Sequence, residues 1–307
     1  MPPRSLVAVV AAAALAAVSL AACGGDANDS ANAPVAVATT TQVADLARAV
    51  AGKRSTIRQI LQPNSDPHAY EPRPSDVKAA AGVGVVLRSG GDLDAWLDDV
   101  LRNAGSDAHV VTLIGAAPRR ADGRVDPHWW QDPRNAIAAV GRIRDALIAA
   151  DPGGRPAYTA NAAAYVAKLR ALDRAIASCM RAIPAAQRRL VTDHDALGYY
   201  ADRYGIEVVG TVIPALSTQA QASAGAVARL VRTIRSQGVS TIFPESSVNP
   251  KLARAIARDA GATVGPALYA DTLGPKGSAG ETYIGALRFN TQALAAGFTA
   301  GRRRCQL

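Results

Sequence analysis

The chain carries four histidines, and three of them stand in settings that could bind a metal ion. His68 and His128 each close the tripeptide Asp-Pro-His, at 66–68 and 126–128, and His194 sits between two aspartates in Thr192-Asp193-His194-Asp195. Proline fixes φ and removes a backbone donor, so each Asp-Pro-His turn is stiff and aims its imidazole with little entropy left to lose on binding. Neutral imidazoles gathered from separate parts of a chain suit a borderline divalent cation such as zinc, which takes four ligands. Asp271, in Tyr269-Ala270-Asp271-Thr272, is the best-placed carboxylate to complete the set. His109 begins an apolar run and reads as structural.

The elements that must position these groups alternate regularly. Residues 35–40, 56–61, 83–87 and 109–113 read as strands, and 43–50, 75–81, 93–103 and 135–149 read as helices. The alternation resumes from residue 189, with strands near 190–192, 207–212, 240–243 and 262–264 and helices between them. Such βα units imply mostly parallel sheets. His68, His128, His194 and Asp271 all follow strands, which is the edge where open α/β sheets bind ligands. After His194 the pattern turns helical, with Leu197, Tyr200, Ala201 and Tyr204 on one face and Gly205 at the C-cap position.

Between the two α/β regions, Tyr165, Leu169, Leu172, Ile176, Met180 and Ile183 recur at helical spacing. They predict one helix over 157–183, about 40 Å long. The expected organisation is an N-terminal lobe at 35–152, a linking helix at 153–184 and a C-terminal lobe at 185–307, with the metal cleft between lobes. One long helix within a single domain is the alternative.

Residues 1–22 read as a signal peptide: Arg4 precedes an apolar run at 6–20 that is too short for a membrane span. Leu20-Ala21-Ala22-Cys23 has the form of a bacterial lipobox, which makes Cys23 an acylated anchor. Residues 23–34 are then the lipidated N-terminus and its tether; the eleven small or polar residues 24–34 would span about 18 Å if flexible. Removing the leader takes away one cation, leaving the net charge of +9 at +8. The remaining cations are scattered, without aromatic interleaving, so nucleic acid is not an expected partner. In an exported compartment the remaining pair, Cys179 and Cys305, fits a single disulfide, although two unrelated buried thiols are also compatible.

Beyond these features, the whole mature chain resembles the solute-binding lipoproteins of metal-specific ABC importers, the zinc and manganese family. The resemblance is carried by the lipobox, by Asp66-Pro67-His68-Ala69-Tyr70-Glu71-Pro72 with Pro74-Ser75-Asp76, by Asp126-Pro127-His128-Trp129-Trp130 and by His194-Asp195-Ala196. Leu216-Ser217-Thr218, the stretch 243–252 with Glu245, Asn249, Pro250 and Lys251, and Gly280-Glu281-Thr282-Tyr283 with Asn290 match as well. It implies two α/β lobes bridged by one long helix, with His68, His128, His194 and Asp271 on the four ligand positions. Glu245 is expected to orient a ligand rather than to bind metal, and Asp193 is assigned the same supporting role. Two positions depart from the family pattern: Leu197 replaces a common phenylalanine, and Asp193 stands where serine is frequent.

The resemblance also implies an ABC permease as partner, a lipid-anchored extracytoplasmic location and a monomer. It favours Zn2+, because manganese members commonly have glutamate where this chain has His194, and a nitrogen-rich set suits zinc. Mn2+ is the alternative, since 115–125 lacks the histidine-rich loop of many zinc members. A zinc hydrolase would instead keep one coordination position for water. Asp271 filling that position, and the lack of a His-Glu-x-x-His helix, count against it.

Overall fold

The computed structural model describes Met1, residues 36–116 and residues 125–307. The signal peptide, Cys23, the tether and most of the loop at 115–125 therefore lie outside the described residues.

The first lobe is built on four parallel strands, β1 (Ala36–Ala38), β2 (Ile57–Gln59), β3 (Val85–Arg88) and β4 (His109–Thr112), in the order β2-β1-β3-β4. Helices α1 (Thr41–Ala51), α2 (Pro74–Ala80), α3 (Leu97–Ala104) and α4 (Pro133–Ala150) connect and flank them. The caps explain the starts: Thr40 Oγ1 accepts from the Val43 N–H at 3.3 Å, and Asp132 accepts from the Arg134 N–H at 2.8 Å with Pro133 in the first turn. Where a single helix is expected over 93–103, the chain makes a 3-10 turn at Gly91–Asp94 before α3. Asp94 is the reason, since its buried carboxylate accepts from the N–H groups of Ser89 and Gly90 and from the Thr39 hydroxyl. Those bonds close the β3 exit and hold Asp94 out of the α-helix.

The second lobe repeats the plan. Strands β5 (Arg189–Thr192) and β6 (Glu207–Thr211) pair in parallel, as do β7 (Thr241–Ile242) and β8 (Thr263–Val264). A Thr192–Phe243 bridge and the Phe243 N–H donating to the Val191 carbonyl at 2.9 Å join the pairs, giving the order β6-β5-β7-β8. Helices α6 (Gly198–Tyr204), α7 (Ala224–Gln237), α8 (Lys251–Ala260) and α9 (Tyr283–Phe298) complete it. Gly205 ends α6 at φ 66°, in the left-handed region that favours glycine.

Helix α5 (Arg155–Arg181), 27 residues long, joins the lobes. Its buried stripe includes Leu169, Leu172, Ile176 and Met180, as the spacing predicts, and it packs against α4 and α1 of the first lobe and α9 and α6 of the second. One apolar cluster, running from Ala36 to Phe298, includes residues of both lobes and of α5. Cys179, near the end of α5, lies beside Cys305 with Cα atoms 5.6 Å apart, within the normal range for a bridge. No helix among the described residues is long and apolar enough to cross a membrane.

Candidate metal site

The four ligand candidates converge. His68 leaves the loop after β2, His128 the segment after β4, His194 the end of β5 and Asp271 the segment after β8. One ligand atom from each lies within 4.8 Å of the others, and all four are buried except His68, which is partly so. The Nε2 atoms of His68 and His128 are 3.4 Å apart, and those of His128 and His194 3.3 Å. Asp271 meets His68, His128 and His194 at 3.4, 3.3 and 3.2 Å. A tetrahedral cation with bonds of about 2.0–2.1 Å has ligand–ligand edges of about 3.3–3.4 Å, so these separations fit a small divalent ion.

Two imidazoles are aimed by the same device. A single Asp126 oxygen, Oδ1, accepts both the backbone N–H of His128 at 2.9 Å and its Nδ1 at 2.7 Å. One Glu245 oxygen, Oε1, does the same for His194, at 3.1 and 2.8 Å. With the proton on Nδ1, each Nε2 turns a lone pair toward the centre. Asp193 is expected to support His194, and it does so one step removed, because its Oδ2 accepts the Glu245 N–H at 2.8 Å. Asp66, the counterpart of Asp126 in the other tripeptide, accepts the His68 backbone N–H at 2.9 Å and the Thr218 hydroxyl at 2.7 Å. His109 lies away from this cluster, exposed at the start of β4.

Asp271 is held from both sides. The Trp130 indole N–H and the Gln131 amide both donate to the Ala270 carbonyl, at 2.9 and 2.8 Å. Asn290 pairs with the backbone of Tyr269 through both its amide atoms, at 2.9 and 2.8 Å. Among the described residues, the groups that meet the buried Asp271 oxygens are the three imidazoles, at 3.2 to 3.4 Å. A buried carboxylate is costly unless positive charge meets it.

The electrostatics agree with that reading. Burial opposes the charged form of Asp271, but the His194 and His128 charges beside it outweigh burial and hold its carboxyl well below the usual range. Burial likewise opposes charge on His128, yet Asp271 and Asp126 raise it to about 9. His194 is raised well above the usual imidazole value against its burial by Glu245 and Asp271. Asp193 is pushed up to about 7, by burial first and the Glu245 charge second. Positive charge on the imidazoles and negative charge on Asp271 thus favour one another, and the centre is electrostatically suited to a cation.

Sequence reasoning did not assign Asp126, Trp130 and Gln131 their supporting contacts. Asp126 had a signal, its fixed place two residues before a ligand histidine. The bonds from Trp130 and Gln131 to Ala270 join residues 140 and 139 positions apart, which no local pattern announces.

Comparisons with known proteins show the family and the fold. The family described as "Zinc-uptake complex component A periplasmic" matches residues 36–297. The manganese-binding lipoprotein MntA of Halalkalibacterium halodurans is 33% identical over 258 residues, covering 83% of this chain and 85% of its own. The iron-binding protein YfeA of Yersinia pestis is 30% identical over 267 residues, covering 85% of each. Among solved structures, the periplasmic zinc-binding protein TroA from Treponema pallidum superposes with a TM-score of 0.81 at 26% identity, covering 87% of this chain and 99% of that one.

Proposed function

The chain belongs to the family of periplasmic zinc-uptake components, solute-binding proteins of metal import rather than enzymes, and from that premise we propose its ligands and cargo. His68, His128, His194 and Asp271 capture a divalent metal ion, Zn2+ in the first place, and the protein delivers it to an ABC importer permease. Asp126 and Glu245 fix the imidazoles, with Asp193 behind Glu245. The observation that carries this reading is the gathering of three imidazole Nε2 atoms and the buried Asp271 carboxylate within 4.8 Å of one another between the lobes. Three nitrogens and one carboxylate at tetrahedral spacing favour Zn2+. Mn2+ is the second reading: the 33% identical relative is named for manganese, and both Asp271 oxygens face imidazole nitrogens, so both could bind a larger ion.

Cys23 carries lipid and holds the protein, as a monomer, on the outer face of a membrane through the 23–34 tether. A Cys179–Cys305 bridge fastens the C-terminal residues to α5. Elemental analysis of protein purified without added metal, repeated on His68→Ala, His128→Ala, His194→Ala and His109→Ala, tests the site. One bound ion in the wild type and His109→Ala, lost in the other three, is the expected result; equal content in all four variants would remove the assignment.

A further inference from the structure

The Leu216-Ser217-Thr218 motif supplies no metal ligand, yet it lies on a hydrogen-bonded path between the segments that carry His68 and His194, in opposite lobes. The Thr218 hydroxyl donates to Asp66 Oδ2 at 2.7 Å, reaching from the second lobe to the first. The other oxygen of Asp66 accepts the backbone N–H of His68, so one carboxylate joins Thr218 to the turn that carries a ligand. That turn holds the one ligand of the four that is not fully buried. At its other end, the Thr218 loop is bonded around His194. The Ile213 N–H donates to the Asp193 carbonyl at 2.6 Å, and the Asp195 N–H donates to the Ala215 carbonyl at 3.0 Å. A displacement of the His68 turn away from the second lobe must therefore break the Thr218–Asp66 bond or drag the His194 segment with it.

We propose that Thr218 is a positioning residue that latches the His68 turn across the cleft and sets the rate at which the metal leaves. The inference rests on the ligand assignment above. Release requires that a ligand of one lobe part from those of the other. His68 is the least buried of the four, although its side chain is only 5% exposed, and a hydrogen bond to a carboxylate is among the stronger kinds. Capture, by contrast, precedes latching, so the association rate does not depend on the bond; changes to an existing interface appear chiefly in dissociation. The His68 loop keeps a second tie in the absence of the latch, because the Asn64 N–H donates to Thr272 Oγ1 at 3.1 Å. Loss of the Thr218 hydroxyl therefore loosens the turn without parting the lobes.

The test is chelator-driven release of Zn2+ followed by stopped flow, with the capture rate measured separately, on the full chain. Thr218→Val is expected to release Zn2+ about ten-fold to a hundred-fold faster, the worth of a hydrogen bond to a charged group, at an unchanged capture rate. Thr218→Ser, which restores the hydroxyl, is expected to release close to the wild-type rate. Thr218→Ala serves as a second loss variant should valine disturb the loop. Wild-type release from both loss variants, or an equal acceleration in Thr218→Ser, would overturn the latch alone. Undiminished Zn2+ affinity in His68→Ala would instead overturn the ligand assignment on which it rests.

Discussion

His128 and His194 are oriented by carboxylates that differ only in where the chain finds them. Asp126 is two residues from its histidine, within one stiff turn, whereas Glu245 is 51 residues from His194 and meets it because β5 and β7 lie side by side. The first arrangement could be read from Asp-Pro-His; the second needed either the fold or the family resemblance that singled out Glu245. Because both carboxylates fix the tautomer that presents Nε2, Asp126→Ala and Glu245→Ala are each expected to weaken metal binding by about 10–100-fold without loss of fold. Competition against a chelator of known affinity checks this. The pH dependence follows from the protons that the metal-free site holds. With His128 held up at about 9, a proton occupies it at neutral pH and must leave when metal enters. Affinity is therefore expected to fall as pH drops below about 9, and binding enthalpies at neutral pH should depend on the ionisation heat of the buffer. Buffer-independent enthalpies would contradict this proton exchange.

Among the elements, α5 was the most legible, because its apolar residues keep one face across the whole length of the helix. The strand ends were less so, since side chains there answer to the site rather than to periodicity. Helix α6 shows this. Its apolar face extends back to Leu197, but the helix begins at Gly198, because Asp195 and Ala196 bond the Ala215 and His194 carbonyls instead of a helical ladder. The start of α5 carries a pH-dependent tie. Asp151 takes a two-pronged bond from Arg54, at 2.7 and 3.0 Å, and another from the Tyr158 hydroxyl at 2.8 Å. The Arg54 hydrogen bonds lower its carboxyl to about 2. A depressed folded value means stability present above the unfolded value near 4 and lost as pH falls toward 2. The stability gap between the wild type and Asp151→Asn, read by chemical denaturation, is expected to be constant from pH 5 upward and to close below pH 4. At the other end of α5, a Cys179–Cys305 bridge would close a loop across 126 positions, worth about 4–5 kcal/mol in the chain-entropy model. Cys305→Ser should then melt lower by that measure, and non-reduced wild type should resist thiol alkylation.

At the scale of the whole molecule, two lobes of one plan share a single apolar cluster through α5, and the ligands meet where their strand ends face each other. That both lobes are built of βα units could be anticipated from the alternating patterns, but the order of their strands could not. Strands β7 and β8, two residues each, fall within the stretches 240–243 and 262–264 that read as strands. Metal bound across such a cleft stabilises both lobes together, by about 4 kcal/mol at a thousand-fold excess over Kd. Anchoring is independent of this: Cys23→Ser is expected to free the protein from membranes while leaving metal binding intact, as fractionation of cells would show. The central claim is that three imidazoles and Asp271 hold Zn2+ in preference to Mn2+, and equimolar competition for one site tests it most directly. Loaded with both ions together and analysed for metal content, the wild type is expected to carry zinc alone, and His194→Glu to bind zinc more weakly, with a narrowed margin over manganese. Manganese retained by the wild type against equimolar zinc would contradict both the zinc reading and the role of His194 within it.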